Sequence, residues 1–331
     1  MSIYTDANVL VTGGTGMIGR EVVRLLLWEG AQVRVASLDD ARDIHGPRLD
    51  YLRGNLIEWE FCQRAVAGMD YVFHVAGIKG STGIGTTRAA SFLIPQLAMN
   101  ALVMQAAYET GVRRYLSTSS IAVYPSGARF CEDDVWSGPP HPTDRFGAWA
   151  KRMSEFQAVA YAAEYGWNRV AIVRPANSYG KYDNFDPATA MVVPALIARA
   201  ASGENPLVVW GDGSAVRDFI YSADVARGML LALEDAADGT PINLGSGQGT
   251  SIRELVDEIV ACFPDPPRIE WDTSKPTGPE RRVMDITRAR ERLDWMPRVS
   301  LKDGIRETVR WYVEERDAAS HRYDPFHVEE E

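Results

Sequence analysis

A short apolar run, Asn8-Val9-Leu10-Val11, ends at a cluster of glycines, and Ile18, Val22, Leu25 and Leu26 then recur at i, i+4, i+7 and i+8. That is a strand, a tight turn and a helix with one apolar face. The unit returns with Val33-Arg34-Val35-Ala36, Tyr71-Val72-Phe73-His74-Val75, Arg114-Tyr115-Leu116-Ser117 and Val170-Ala171-Ile172-Val173, each separated by enough chain for a helical crossover. Strands joined in this way run parallel, so the pattern predicts an α/β protein with a doubly wound parallel sheet.

At 331 residues the chain exceeds the roughly 250–300 at which one core stops growing, so two lobes are expected. After Arg174-Pro175 proline and glycine become dense, and short segments such as Pro206–Trp210 and Arg268–Trp271 replace the regular alternation. The expected division is a dinucleotide-type domain over 1–175, with 218–245 returning to its sheet. A smaller, interleaved substrate lobe covers 176–217 and 246–315, and 316–331 is a polar tail.

Thirty-five basic against 45 acidic residues leave a net charge of −10, which argues against a nucleic-acid or anionic-membrane surface. The start MSIYTDANVLVTGG has no basic segment leading into an apolar run, and no stretch reads as the ~18 apolar residues of a membrane span. A cytoplasmic location is expected. Cys62, Cys131 and Cys262 have neither disulfide nor zinc-ligand spacing, so no metal site is expected and all three read as buried thiols. The helical stretches 91–110 and 148–165 carry more apolar residues than one buried face needs; they either cover the sheet or form a dimer interface.

The segment VLVTGGTGMIGREVVRLL places Gly13, Gly16 and Gly19 between strand and helix. Glycines let the backbone turn sharply and approach a pyrophosphate, whose charge meets free amides at the helix start. With it come RGNL at 53–56, FHVAG at 73–77, STSSIAVYP at 117–125, AKRMSE at 150–155, VRPANSYG at 173–180, VWGDGSAVRDFIYSADVA at 209–226 and INLGSG at 242–247. These stretches, in this order from Asn8 to about Val313, resemble the extended short-chain dehydrogenase/reductases, the NAD(P)-dependent nucleotide-sugar epimerases, dehydratases and reductases. YGKYDNFDPATAMVVPALI and SKPTGPERRVMDITRARERLDW resemble the branch of GDP-fucose synthases and GDP-mannose 3,5-epimerases.

The resemblance implies a Rossmann-type domain, a nucleoside-diphosphate sugar as substrate, with GDP a candidate carrier, and a homodimer. It also implies roles for individual residues. Gly13, Gly16, Met17 and Ile18 would cradle the cofactor pyrophosphate, Asn55 and Leu56 border its adenine, and Val75, Ala76 and Gly77 lie along the nicotinamide, backed by Pro175. Ser119, Asn177, Arg217, Arg281 and Arg282 match positions that hold the sugar nucleotide, and guanidiniums bind a diphosphate bidentately. Ser37 fills the slot where NAD users carry an acidic residue. Asp39 and Asp40 follow it with no basic group before Arg42, which favours NAD over NADP.

The family's chemistry needs a hydroxyl residue, a tyrosine and a lysine. Ser120 and Lys151 fill two of these slots, but the tyrosine position, four residues before Lys151, holds Gly147. Two explanations compete: a replacement made to trap a ligand, or a natural chain that uses another group. A shifted site at Phe146 fits the spacing less well. A cavity beside Gly147 is expected where the ring would stand. The second acid/base pair of fucose-synthase-like proteins is also missing, its positions being Ala122 and Asp186. Tyr179, Lys181, Tyr182, Asp183 and Asp186 are nearby polar residues that could substitute. Three functions remain: an epimerase working through C4 oxidation, a 4-keto reductase or dehydratase, and a catalytically silent NAD(P)-binding protein.

Overall fold

A computed structural model describes residues 2–39, 45–78, 87–127, 129–186, 189–275 and 277–315. Its centre is a seven-stranded, wholly parallel sheet. In chain order the first five strands are β1 (Asn8–Thr12), β2 (Gln32–Ser37), β3 (Leu49–Arg53), β4 (Tyr71–His74) and β5 (Arg114–Thr118), followed by Val170–Pro175 and Pro241–Leu244. Across the sheet the order is Pro241–Leu244, Val170–Pro175, β5, β4, β1, β2, β3. The order reverses beside β1, and a doubly wound sheet opens a crevice at that switch point, beyond the carboxyl ends of its strands.

The inner strands β1 and β4 are almost wholly buried because both faces of the sheet are covered there, whereas the edge strand β3 is half exposed. Val9, Val11, Val33 and Val35 join one core cluster with Val22 and Leu26 of the helix α1 (Met17–Trp28), while Leu10, Ala36 and Val72 join another. That second cluster takes Phe61 and Cys62 from the helix α2 (Trp59–Val66), and Val103 and Met104 from the Ala89–Glu109 helix. Period-two alternation thus assigns neighbouring residues to opposite layers.

The last strand of the sheet, Pro241–Leu244, pairs with Val170–Pro175, and the Ser222–Asp235 helix before it packs against α1. The remaining chain has its own core, where Leu196, Ile197, Phe219, Leu255, Ile259, Ile305 and Trp311 meet. Its small sheets include one of four short strands in the order Thr250–Ser251, Val216–Arg217, Arg281–Met284, Arg129–Phe130.

Two expectations need correction, and one falls on residues that are not described. Of the thiols only Cys62 is buried; Cys131 and Cys262 are half-buried, and all three are free. The Ala89–Glu109 helix, with 21 residues and a mean hydropathy of 1.3, is long and apolar enough to cross a membrane by length and composition, which the sequence reading had excluded. In the fold its Val103, Met104, Ala106 and Ala107 are buried against the sheet, and it packs beside the Arg145–Tyr165 helix. Finally, Asp40 and Arg42 lie outside the described residues.

Candidate active site

β1 delivers the chain to Gly13, whose φ of +65° only glycine adopts without strain, and whose added Cβ would stand 2.8 Å from Ala76 Cα. At Gly19 a Cβ would lie 2.1 Å from Gly13 O, so α1 packs directly onto the turn. Gly16 is the N-cap of α1 and no side chain caps that end. The first amides of α1, at Met17 and Ile18, therefore present donors and the positive end of the helix dipole to an anion. The residues present fit a dinucleotide pyrophosphate.

At the end of β2 the buried Ser37 hydroxyl is 2.8 Å from Thr15 Oγ1, which donates to Asp39 Oδ2 at 2.5 Å. A carboxylate does stand at this corner, but so does a cation. Arg53 Nε donates to Leu38 O at 3.2 Å, a neighbour supplied by β3 that counting along β2 could not reveal. Asn55 Oδ1 accepts from Ile57 N at 3.2 Å, and Leu56 is buried.

The segment Val75–Ile78 hangs on two side chains: Ala76 N donates to Thr12 Oγ1 at 3.2 Å and Ile78 N to Gln96 Oε1 at 2.9 Å. Asn100 Oδ1 can only accept, so His74 Nε2 carries the proton and donates to it at 3.0 Å, and Nδ1 of the neutral ring accepts from Thr12 Oγ1 at 2.9 Å. The ring is neutral: burial first, then the positive charge of Lys151, pushes its pKa down to about 3, against the small opposing effect of Asn100.

Ser120 follows β5 and caps a short turn, Oγ accepting from Ala122 N at 3.1 Å, which leaves its proton free to donate. Lys151, half-buried on the Arg145–Tyr165 helix, donates to Thr118 O at 2.7 Å, and a Cβ on Gly77 would lie 3.5 Å from its Nζ. Burial lowers the ammonium to about 8, and Glu155 opposes that only partly. The structure thus brings Lys151 to both the Val75–Gly77 segment and the Thr118–Ser120 segment. Ser119 points elsewhere: it is buried and its hydroxyl donates to Glu155, which forms a buried pair with Arg174 at 2.7 Å. Pro175, the next residue, is buried at the end of its strand.

Gly147 lies one turn before Lys151, and the space for its first side-chain atom is taken. A Cβ at 147 would come 2.5 Å from Cε1 of Phe92, whose ring reaches over from the neighbouring helix. Among the other polar candidates, Tyr179 donates to Leu301 O at 3.3 Å, Lys181 pairs with Glu307 at 2.5 Å, and Asp186 accepts from Thr189 at 3.0 Å. Tyr182 lies under the Arg20 guanidinium, 4.2 Å from its ring centre, and Asp183 is buried, accepting from Asn184 N.

Arg217 and Arg282 stand opposite each other on adjacent parallel strands and so share a face; Arg281 is one residue off that register and exposed. Asn177 Nδ2 donates to Asp218 O at 2.8 Å. Two residues were missed by sequence reasoning besides Phe92. Asp144 Oδ2 lies 2.7 Å from Arg282 Nη1. Buried Asp218 gathers the amides of Ser246, Gly247 and Met284, tying the Arg217 strand to the next loops. Its place next to Arg217 in the matching motif was the available signal.

A glycine-turn dinucleotide site at the switch point of a parallel sheet, with Ser120 and Lys151 beside it, defines an NAD(P)-dependent short-chain dehydrogenase/reductase of the extended kind. The chain belongs to the NAD dependent epimerase/dehydratase family, whose model matches residues 9–245. It is 31% identical over 314 residues to GDP-L-fucose synthase 1 of Arabidopsis thaliana, covering 93% of this chain and 94% of that protein. It is also 31% identical over 320 residues to dTDP-4-dehydro-6-deoxy-D-allose reductase of Streptomyces bikiniensis, covering 93% and 97%. Among solved structures, an epimerase of Methanothermobacter thermautotrophicus superposes with a TM-score of 0.86 at 25% identity, covering 96% of this chain and 95% of that one.

Proposed function

We propose that this protein is an NAD-dependent nucleotide-sugar epimerase that works through a 4-keto sugar, with GDP the first carrier to try, acting as a cytoplasmic homodimer. The observation that carries the reading is Lys151, held between Thr118 O and the Gly77 segment, where an ammonium can hold a cofactor ribose. When bound, the cofactor supplies hydride exchange at C4. The chain's residues do the rest. The α1 amides and Gly13 seat the pyrophosphate, Ser120 donates to the sugar O4, and Arg217 and Arg282 hold the diphosphate. With glycine at 147, O4 lacks its usual proton partner, and turnover falls by roughly the 10²–10⁴ that a positioned acid/base contributes. Ala122 and Asp186 speak for one stereocentre rather than two.

Asp39 supports NAD, since a carboxylate beside the Ser37 hydroxyl repels a 2′-phosphate. The exposed Ile94, Trp149, Met153, Phe156 and Val159 on the paired helices support the dimer.

Phe92 favours a second reading. Its ring fills the side-chain space at 147, as it would in a chain that binds cofactor and sugar nucleotide without turnover. Incubation with GDP-, UDP- and dTDP-sugars, followed by NMR of the sugar ring and assay of cofactor retained through purification, decides between them. A C4 epimer and retained NAD support the epimerase. Retained cofactor with every sugar unchanged supports the silent protein.

A further inference from the structure

The parallel register that sets Arg217 opposite Arg282 leaves room for a third charge, and Asp144 takes it. The Asp144 and Arg282 side chains are only 20% and 11% exposed. Their contact is an ion pair by distance but is poorly aligned. Asp144 Oδ2 and Arg282 Nε and Nη2 are all buried with no hydrogen-bond partner among the described residues. Arg217 senses both neighbours: burial and Arg282 lower its pKa, and Asp144 opposes them.

Asp144 has a second possible occupation. It is the N-cap residue of the Arg145–Tyr165 helix, yet its side chain caps nothing. An aspartate there ordinarily accepts from the second or third amide of the helix, here Phe146 or Gly147, and favours the positive helix end.

We propose that Asp144 is an internal counter-ion that holds Arg282 until a diphosphate arrives, and that the displaced carboxylate then caps the helix carrying position 147 and Lys151. This rests on the nucleotide-sugar reading above. The unpartnered Nε and Nη2 of Arg282 are the fork a bidentate phosphate oxygen pair needs, but both are buried while Asp144 holds Nη1, so the fork reaches a ligand only when the guanidinium turns away from Asp144. Diphosphate binding and the order of the catalytic helix's first turn are therefore coupled, and the coupling runs both ways. Asp144 acts as a positioning residue, and it makes the site select for ligands able to bring two anionic oxygens against a resident one.

Inorganic pyrophosphate is the probe. Calorimetry on the native protein, Asp144→Asn and Arg282→Ala is combined with amide hydrogen exchange over residues 145–151. Asp144→Asn is expected to bind pyrophosphate about tenfold more tightly, because the competing charge is gone while the amide can still cap. In the native protein the Phe146 and Gly147 amides should exchange more slowly once pyrophosphate is added; in Asp144→Asn they should be slow beforehand. Equal or weaker binding by Asp144→Asn, or unchanged exchange in the native protein, overturns the proposal. The exchange measurement stands even if the variant folds poorly. If Arg282→Ala binds pyrophosphate as well as native, the diphosphate site itself is misplaced and both readings fall. If Arg282→Ala loses binding while Asp144→Asn binds no more tightly than native, the counter-ion role alone falls.

Discussion

The edge of the Phe92 ring stands where a side chain at Gly147 would begin: a Cβ built there would meet Phe92 Cε1 at 2.5 Å and Cδ1 at 3.4 Å. A glycine in the tyrosine slot is thus matched by an aromatic ring from the neighbouring helix. Gly147→Tyr alone should destabilise by about 1–3 kcal/mol, the usual cost of overpacking, and show no gain in turnover. Gly147→Tyr with Phe92→Ala should recover that stability and raise C4 hydride transfer toward the 10²–10⁴-fold range, since Ser120 and Lys151 remain in place. Denaturant melts and single-turnover absorbance at 340 nm read the two effects. A single variant that is both stable and faster would remove Phe92 from the argument.

The glycine turn was legible in the sequence because Gly13 and Gly19 answer to local requirements, a positive φ and a helix in contact with its own turn. The inner strands were legible because burial on both faces leaves apolar runs, while β3, half exposed and carrying Asp50 and Arg53, gave no such run. Lys151 and Ser120 were assigned through the resemblance of the motifs that contain them. Phe92 could not, because its contact with Gly147 joins helices far apart in the chain. Asp144 stayed hidden for a related reason: its partner is fixed by the pairing of Arg217 with Arg282, a register that no local pattern encodes. With adjacent serines, sequence placed both near substrate, and only the fold shows the Ser119 hydroxyl spent on Glu155.

That spent hydroxyl belongs to a buried polar cluster. Arg174 binds Glu155 through Nε at 2.9 Å and Nη2 at 2.7 Å, and reaches Tyr124 OH and Glu132 O with Nη1. Glu155→Ala leaves a buried guanidinium without its counter-charge and should cost about 3–5 kcal/mol. Replacing both, as Glu155→Met with Arg174→Met, should cost less than the single change. A urea titration of the three proteins measures the difference, and equal losses would contradict it.

His74 gives stability an acid-side slope. Its folded pKa, about 3, lies below the ordinary 6.5, so the unfolded chain binds the extra proton between these values and stability falls as pH drops from 6.5. At pH 5 the contribution is about 2 kcal/mol. His74→Gln should be less stable at pH 7, having lost the Thr12 and Asn100 geometry, but should show a flatter profile from pH 6.5 to 5. Melting curves at several pH values test this; parallel profiles for both proteins would assign the slope to other groups.

Phe156 and Val159 are 56% and 55% exposed on the Arg145–Tyr165 helix, and Ile94 is 60% exposed on the helix beside it. Apolar surface of this kind is normally covered. Light scattering at micromolar concentration should give twice the mass of 36.6 kDa, and Phe156→Glu with Val159→Glu should give the monomer. A native monomer would leave the patch without the proposed partner.

Lys151 sets function against stability. Burial brings its ammonium from 10.5 to about 8, so at neutral pH the folded protein holds a charge that it disfavours relative to the unfolded chain. A depressed pKa contributes stability above 10.5, and that contribution is lost as pH falls through 8, which is the condition of the cofactor-free protein at pH 7. Lys151→Met removes the buried charge. It also removes the hydrogen bond to Thr118 O, worth about 1 kcal/mol, so a net gain of about 2 kcal/mol at pH 7 is expected, shrinking as pH rises toward 10. The same change removes the ammonium proposed to hold the ribose, so NAD affinity should fall at least tenfold while the melting temperature rises. In the native protein NAD affinity should decline as pH passes about 8, and Lys151→Met should show no such decline. If Lys151→Met is instead less stable at pH 7 and binds NAD normally, the residue is a structural anchor and the proposed ribose contact is wrong.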